Sequence, residues 1–135
     1  MRIKDVMITY LFTLNETDTI SDASEVMKLE KSRHIPIVDK DYRLVGLVTY
    51  RDLIGALARK MENFPISSIM RKEVKAVEPD TPLKGAIEIM IINKYGCLPV
   101  VDNDRKLLGI VTEIDLLKIL YDMISMPTDF YTFKK

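Results

Sequence analysis

The chain has 135 residues, 47% hydrophobic and 30% charged, the profile of one globular unit long enough to bury a core without disulfides or metals. Twenty Lys and Arg balance twenty Asp and Glu, ten of each sign on either side of residue 65, so no basic arm or acidic tail favours nucleic-acid binding. A single cysteine, Cys97, and a single histidine, His34, leave no internal disulfide, no cysteine-rich zinc site and no second imidazole for a metal or proton relay. The apolar runs fall short of the ~18 to 20 residues that span a bilayer, and MRIKDVMITY lacks a signal-peptide core. No membrane association and a cytoplasmic location are therefore expected.

In chain order, a short strand is expected near Thr13-Leu14. Thr19 then starts an amphipathic helix that carries Ile20, Ala23 and Met27 on one face, the i, i+3, i+7 spacing of a core-facing stripe. Two β-type runs follow, Ile35 to Val38 and Leu44 to Thr49, joined by Asp39-Lys40-Asp41-Tyr42, where aspartates favour a tight turn. A second helix places Ile54, Leu57, Ala58 and Met61 on one side, and Asn63-Phe64-Pro65 reads as a hinge because proline resets the chain.

The same order then recurs. Ala76-Val77 matches the first strand, Thr81-Pro82 supplies a helix start, and Leu83, Ala86, Ile87 and Met90 form the next stripe. A second hairpin turns at Asp102-Asn103-Asp104-Arg105, and Leu117, Leu120, Tyr121 and Ile124 repeat the last helix face. At an offset of 63, Ile3 to Leu57 aligns without gaps with Ile66 to Leu120, with about 17 identities in about 55 positions. The expected organisation is α/β (α+β): two β-α-β-β-α repeats over residues 1–62 and 66–125, a hinge at 63–65 and a tail at 126–135. Packing the copies face to face would bury the apolar helix faces that one copy leaves exposed.

The sharpest chemical signal is GLVTYRD from Gly46 and its counterpart GIVTEID from Gly109. Thr49 with Asp52, and Thr112 with Asp115, have the spacing of a capping box that satisfies backbone donors at a helix start. The same geometry suits a nucleotide: a helix N-terminus attracts phosphate, and a carboxylate accepts hydrogen bonds from a ribose diol. Spacing alone does not separate these readings.

An IxDVM-like start, the strands HIPIVD and CLPVVD, and GhVTxxD before a helix, all occurring twice from about Ile3 to about Ile124, resemble a tandem pair of cystathionine β-synthase (CBS) domains, a Bateman module. The resemblance implies a stand-alone, non-catalytic regulatory protein with two repeats packed through their sheets about a pseudo-two-fold axis. It also implies clefts for AMP, ADP, ATP or S-adenosylmethionine, an energy-sensing role, a homodimer built through helices, and an effector protein that reads the bound state. No cofactor is required.

Carried over by position, Asp52 and Asp115 become ribose acceptors and Thr49 and Thr112 phosphate neighbours. Arg33, His34 and Arg51 would grip phosphate in the first cleft, whereas the second repeat has Gly96, Cys97 and Ile114 there. The Asp52 cleft is therefore expected to be the nucleotide site. Val77 and Tyr95 would flank its adenine, and Leu14 and Ser32 that of the second cleft.

Some residues also have plainer readings. His34 is equally a strand-end histidine, Arg51 a solvated helix residue and Cys97 an inert buried thiol. Gly46 and Gly109 serve sheet packing as well as ligand approach. The aromatic tail from Pro127, with Phe130, Tyr131 and Phe133, is expected to dock on a dimer mate or another protein. The rival to ligand sensing is a constitutive dimerisation or scaffold module in which the Thr-x-x-Asp boxes only cap helices. An enzyme is disfavoured: the sequence offers no Ser-His-Asp set, metal-ligand spacing or glycine-rich phosphate loop.

Overall fold

The computed structural model describes residues 1–125; the aromatic tail lies outside them. β1 (His34–Val38) pairs antiparallel with β2 (Leu44–Thr49), and β3 (Cys97–Val101) with β4 (Leu107–Thr112). The registers match residue for residue across the repeat: His34 faces Thr49 as Cys97 faces Thr112, and both hairpins shift register at the same place. The turn aspartates act as anticipated. Asp39 Oδ1 accepts from the N–H groups of Asp41 and Arg43, and Asp102 Oδ1 from those of Asp104 and Lys106. These bonds hold the bends that leave Tyr42 and Arg105 at positive φ.

The helices are α1 (Ile20–Glu30), α2 (Tyr50–Ala58), α3 (Leu83–Asn93) and α4 (Glu113–Ser125). Thr19 caps α1 in a reciprocal box with Asp22. Thr81 does not do the same for α3: its hydroxyl accepts from Glu78 N–H, and Pro82 occupies the N-cap without a side-chain bond. Proline suits that place because its fixed φ is compatible with helix entry.

The expected strands at Thr13-Leu14 and Ala76-Val77 contract to single parallel bridges, Leu14 to Ile37 and Val77 to Val100. The reason is a crossing. Six residues before each bridge the chain is paired with the other repeat, Ile8 with Ile110 and Arg71 with Leu47. A segment that contacts both sheets has no length left to run as a strand in either.

The same crossing exchanges the opening motifs. Ile3 is fully buried with Val77, Leu83, Leu98 and Val111 of the second repeat, and its N–H donates to Thr81 O at 2.9 Å. Ile66 is fully buried with Ile20, Ile35, Val48 and Leu53 of the first repeat, and its N–H donates to Asp18 O at 2.7 Å. Each copy thus completes its neighbour's core, so neither buries its full apolar set alone.

Between the copies the hairpins meet directly. Val38 and Leu44 pack on Val101 and Leu107, and Leu47 on Cys97 and Ile110. Leu44 N–H donates to Arg105 O and Leu107 N–H to Tyr42 O, both at 3.0 Å, the reciprocal pattern of a pseudo-two-fold axis. Pairing buries the sheets but not the outer helix faces. In α2 the buried residues are Leu53 and Ala56, with Ile54 exposed, and α4 has no buried residue at all. Leu117, Leu120, Tyr121 and Ile124 all face outward, opposite to the burial expected from face-to-face packing. None of the described helices is long and apolar enough to cross a membrane.

Candidate ligand cleft between the repeats

β2 delivers Thr49 to the N-cap of α2. Thr49 N–H donates to Asp52 Oδ2 at 3.1 Å, and Asp52 N–H donates to Thr49 Oγ1 at 3.3 Å. The capping reading is therefore realised. Asp52 has a second engagement: Arg71 donates Nε–H to Oδ2 at 3.1 Å and Nη2–H to Oδ1 at 3.2 Å. Burial alone would raise the Asp52 pKa, but the hydrogen bonds from Arg71 and Thr49 outweigh it and lower the pKa below the usual carboxylate value.

Beside this pair lies an open cleft of about 1020 Å³, large enough for a nucleotide. Its walls come from both repeats. From the first come Arg33, His34, Thr49 and Arg51, and from the second Arg71, Lys75, Lys94 and Tyr95. Five cations face two acids, Glu73 and Glu113, so the cleft favours an anion although the chain is neutral. The Arg33 guanidinium carbon lies 5.1 Å from the centre of the Tyr50 ring, which holds the charge at the rim.

His34 is not one of the cations. Burial lowers its pKa; Glu113 opposes that shift, and Arg33 and Arg71 reinforce it, so the imidazole is neutral at pH 7 and offers one donor and one acceptor. His34 lines the cleft as a neutral imidazole, whose N–H is still a donor suited to a ligand oxygen. Cys97, in the same wall, has its thiol pKa pushed up to about 12 by burial, with Glu113 adding to the effect, which leaves it protonated and inert.

The remaining candidates divide. Tyr95 lines the cleft, whereas Val77 is 7% exposed and sits in the second-repeat core with Ile3 and Val100. Asp52 lies beside the cleft with both carboxylate oxygens engaged by Arg71, which lines it. Leu14 packs against the first-repeat core, and the Ser32 hydroxyl is used locally, bonding the His34 backbone. Arg71, Lys75 and Lys94 are absent from the sequence-derived site. Self-comparison carried a signal for two of them, since Arg71 and Lys75 replace Ile8 and Phe12 of the first repeat.

The second box is built alike but surrounded differently. Thr112 donates its N–H and its Oγ1–H to Asp115 Oδ2, each at 2.9 Å. Where the first cleft has Arg71, Glu73, Lys75 and Arg51, the equivalent positions here are Ile8, Tyr10, Phe12 and Ile114. Tyr10 and Phe12 stack edge to face with ring centres 5.1 Å apart. Among the described residues, no group of three or more His, Cys, Asp or Glu is placed to hold a metal ion.

Two sheet-paired repeats, each ending in a Thr-x-x-Asp helix start, with a cleft from both repeats beside the first of them, define a class that comparison makes specific. The CBS domain description matches residues 3–59 and 66–122, and the chain belongs to the CBS-domain family. A homoserine O-acetyltransferase of Methanohalobium evestigatum is 36% identical over 118 residues, which are 87% of this chain but 24% of that enzyme. The chain thus spans about a quarter of that relative's length. Among solved structures, the CBS domain pair of protein MJ0100 in complex with 5′-methylthioadenosine and S-adenosyl-L-methionine superposes with a TM-score of 0.83 at 29% identity, covering 90% of this chain and 96% of that one. CBSX2 in complex with AMP, a protein known from Arabidopsis thaliana, gives 0.82 at 26% identity, covering 91% and 98%.

Proposed function

We propose that this chain is a non-catalytic sensor of adenosine-containing ligands, that the Asp52 cleft is its principal site, and that it prefers ligands bearing phosphate. The observation that carries this reading is the cleft itself, in which five cations from two repeats surround a helix N-terminus. Two structural relatives described with adenosine-containing ligands support the ligand class. AMP, ADP or ATP suits the cationic walls better than S-adenosylmethionine, whose sulfonium is itself a cation. The Asp115 box, bordered by Ile8, Tyr10 and Phe12, suits a ligand of lower charge.

A ligand that touches both repeats favours one relative arrangement of them, and a partner protein in the cytoplasm reads that arrangement by population shift. The exposed apolar face of α4, with Leu117, Leu120 and Tyr121, supports a homodimer built on the helices. The scaffold reading has one observation in its favour: both caps are closed and Asp52 is paired with Arg71.

Calorimetry with AMP, ADP, ATP and S-adenosylmethionine separates the two. Sensing requires at least one of them to bind below about 1 mM, or −4.1 kcal/mol, with Asp52→Ala weakening the tightest event far more than Asp115→Ala. If no ligand shifts the melting temperature and Asp52→Ala costs only cap stability, the scaffold reading replaces it.

A further inference from the structure

Arg71 holds Asp52 in a fork and itself lines the cleft. Its backbone is fixed, for Arg71 N–H donates to Leu47 O and Leu47 N–H to Arg71 O, both at 2.9 Å. Its side chain is the more open member of the pair, 57% exposed against 18% for Asp52. A long cationic arm thus extends from a paired backbone within a cleft it already lines. The pair also joins the repeats, because Asp52 belongs to α2 of the first and Arg71 to the opening segment of the second.

We propose that Arg71 is a latch that makes the cleft selective for phosphorylated nucleosides. Its guanidinium donates to both Asp52 oxygens, the acceptors that a ribose diol would use. A ligand phosphate offers the same fork an alternative anion of equal or greater charge, so the guanidinium moves to the phosphate and Asp52 is released to the ribose. An unphosphorylated nucleoside must break the same ion pair and offers Arg71 nothing in return. Moving the latch also unties α2 from the second repeat, which gives the bound phosphate a direct mechanical effect on how the repeats sit. The second box lacks this device, having Ile8 at the equivalent position.

This inference rests on the sensing reading, and the test separates the two. Calorimetry would compare AMP with adenosine on the wild-type chain, on Arg71→Met and on Arg71→Lys. With a latch, wild type prefers AMP by about tenfold or more, and in Arg71→Met adenosine tightens while AMP weakens, so that the preference falls by about tenfold. Arg71→Lys, which keeps the charge but not the fork, falls between them. Absence of binding by wild type to both AMP and adenosine would sink the latch, and the sensing reading falls with it only where ADP, ATP and S-adenosylmethionine also fail to bind. Binding of both ligands with an unchanged AMP-to-adenosine ratio in either folded variant overturns the latch alone. So does an equal weakening of the two ligands, since that is the mark of a residue that only supports the cleft.

Discussion

Gly109 passes so close to Ile8 that a Cβ added to it would stand 2.9 Å from the Ile8 carbonyl oxygen. In the first repeat Gly46 stands in the same relation to Arg71, whose carbonyl oxygen would lie 3.0 Å away, with Met70 Sδ at 2.6 Å. These glycines allow the crossing segments to pair with the opposite sheet, and the crossing is what brings Arg71 to Asp52.

Gly109→Ala and Gly46→Ala should each destabilise the chain by about 1–3 kcal/mol, read from urea midpoints. Gly109→Ala should cost at least as much. Its nearest obstacle is a carbonyl in a paired backbone, whereas that of Gly46 is the flexible end of a methionine.

Lys31 ends α1 with φ 52° in the left-handed region, where a side chain is strained and glycine is not. Lys31→Gly should therefore raise stability by up to about 1 kcal/mol, seen as a higher melting temperature. Glycine's greater freedom in the unfolded chain is already counted in that bound. A fall in melting temperature would mean that the lysine stem packs more favourably than its exposure suggests.

Stability should decline with acidification in two stages. His34 has a lowered native pKa, from burial first, opposed by Glu113 and reinforced by Arg33 and Arg71. The unfolded chain therefore takes up the proton first, near pH 6.5, and stability present above that value is lost as pH falls through the native pKa. Asp52, also lowered on balance, adds stability above its unfolded value near 3.9 that is lost as pH falls through its own native pKa. In chemical denaturation at stepped pH, His34→Gln should flatten the first decline and leave the second. An unaltered first stage would remove His34 as its source.

Cys97, with a pKa raised to about 12 by burial and secondarily by Glu113, should not react with a disulfide reagent at pH 8 in the folded chain, and should react fully in denaturant. Rapid labelling of the native protein would show that the wall containing Leu47, Cys97 and Ile110 opens readily.

Leu117→Asp, on the outward face of α4, should leave the fold intact, because no residue of that helix is buried. It should reduce the mass seen by light scattering from dimer to monomer. A wild-type chain that is monomeric at micromolar concentration would instead remove the homodimer.

Much of the architecture was legible because it depends on local chemistry. The 63-residue repeat, both hairpin turns at Asp39 and Asp102, the Thr19 start and both Thr-x-x-Asp boxes follow from side-chain type at fixed spacing. The errors share one origin in long-range packing. Nothing near Thr13 or Ala76 announces that the preceding residues pair with another sheet, so two strands were expected where two bridges stand. Likewise the stripe Leu117, Leu120, Tyr121, Ile124 shows that α4 has an apolar face, not which way it points.

The candidate site divides along the same line. From sequence alone came the repeat, the family resemblance, the helix starts at Thr49 and Thr112, and the basic residues Arg33 and Arg51 that the second copy replaces with Gly96 and Ile114, all read from residue type at fixed spacing. Only the tertiary structure decided that Arg71, Lys75 and Lys94 of the second copy face Arg33 and Arg51 of the first, that burial lowers the His34 pKa, and that Asp52 is held by Arg71. Those outcomes depend on distances between residues remote in sequence and on the water excluded around them, and neither quantity is encoded in local spacing.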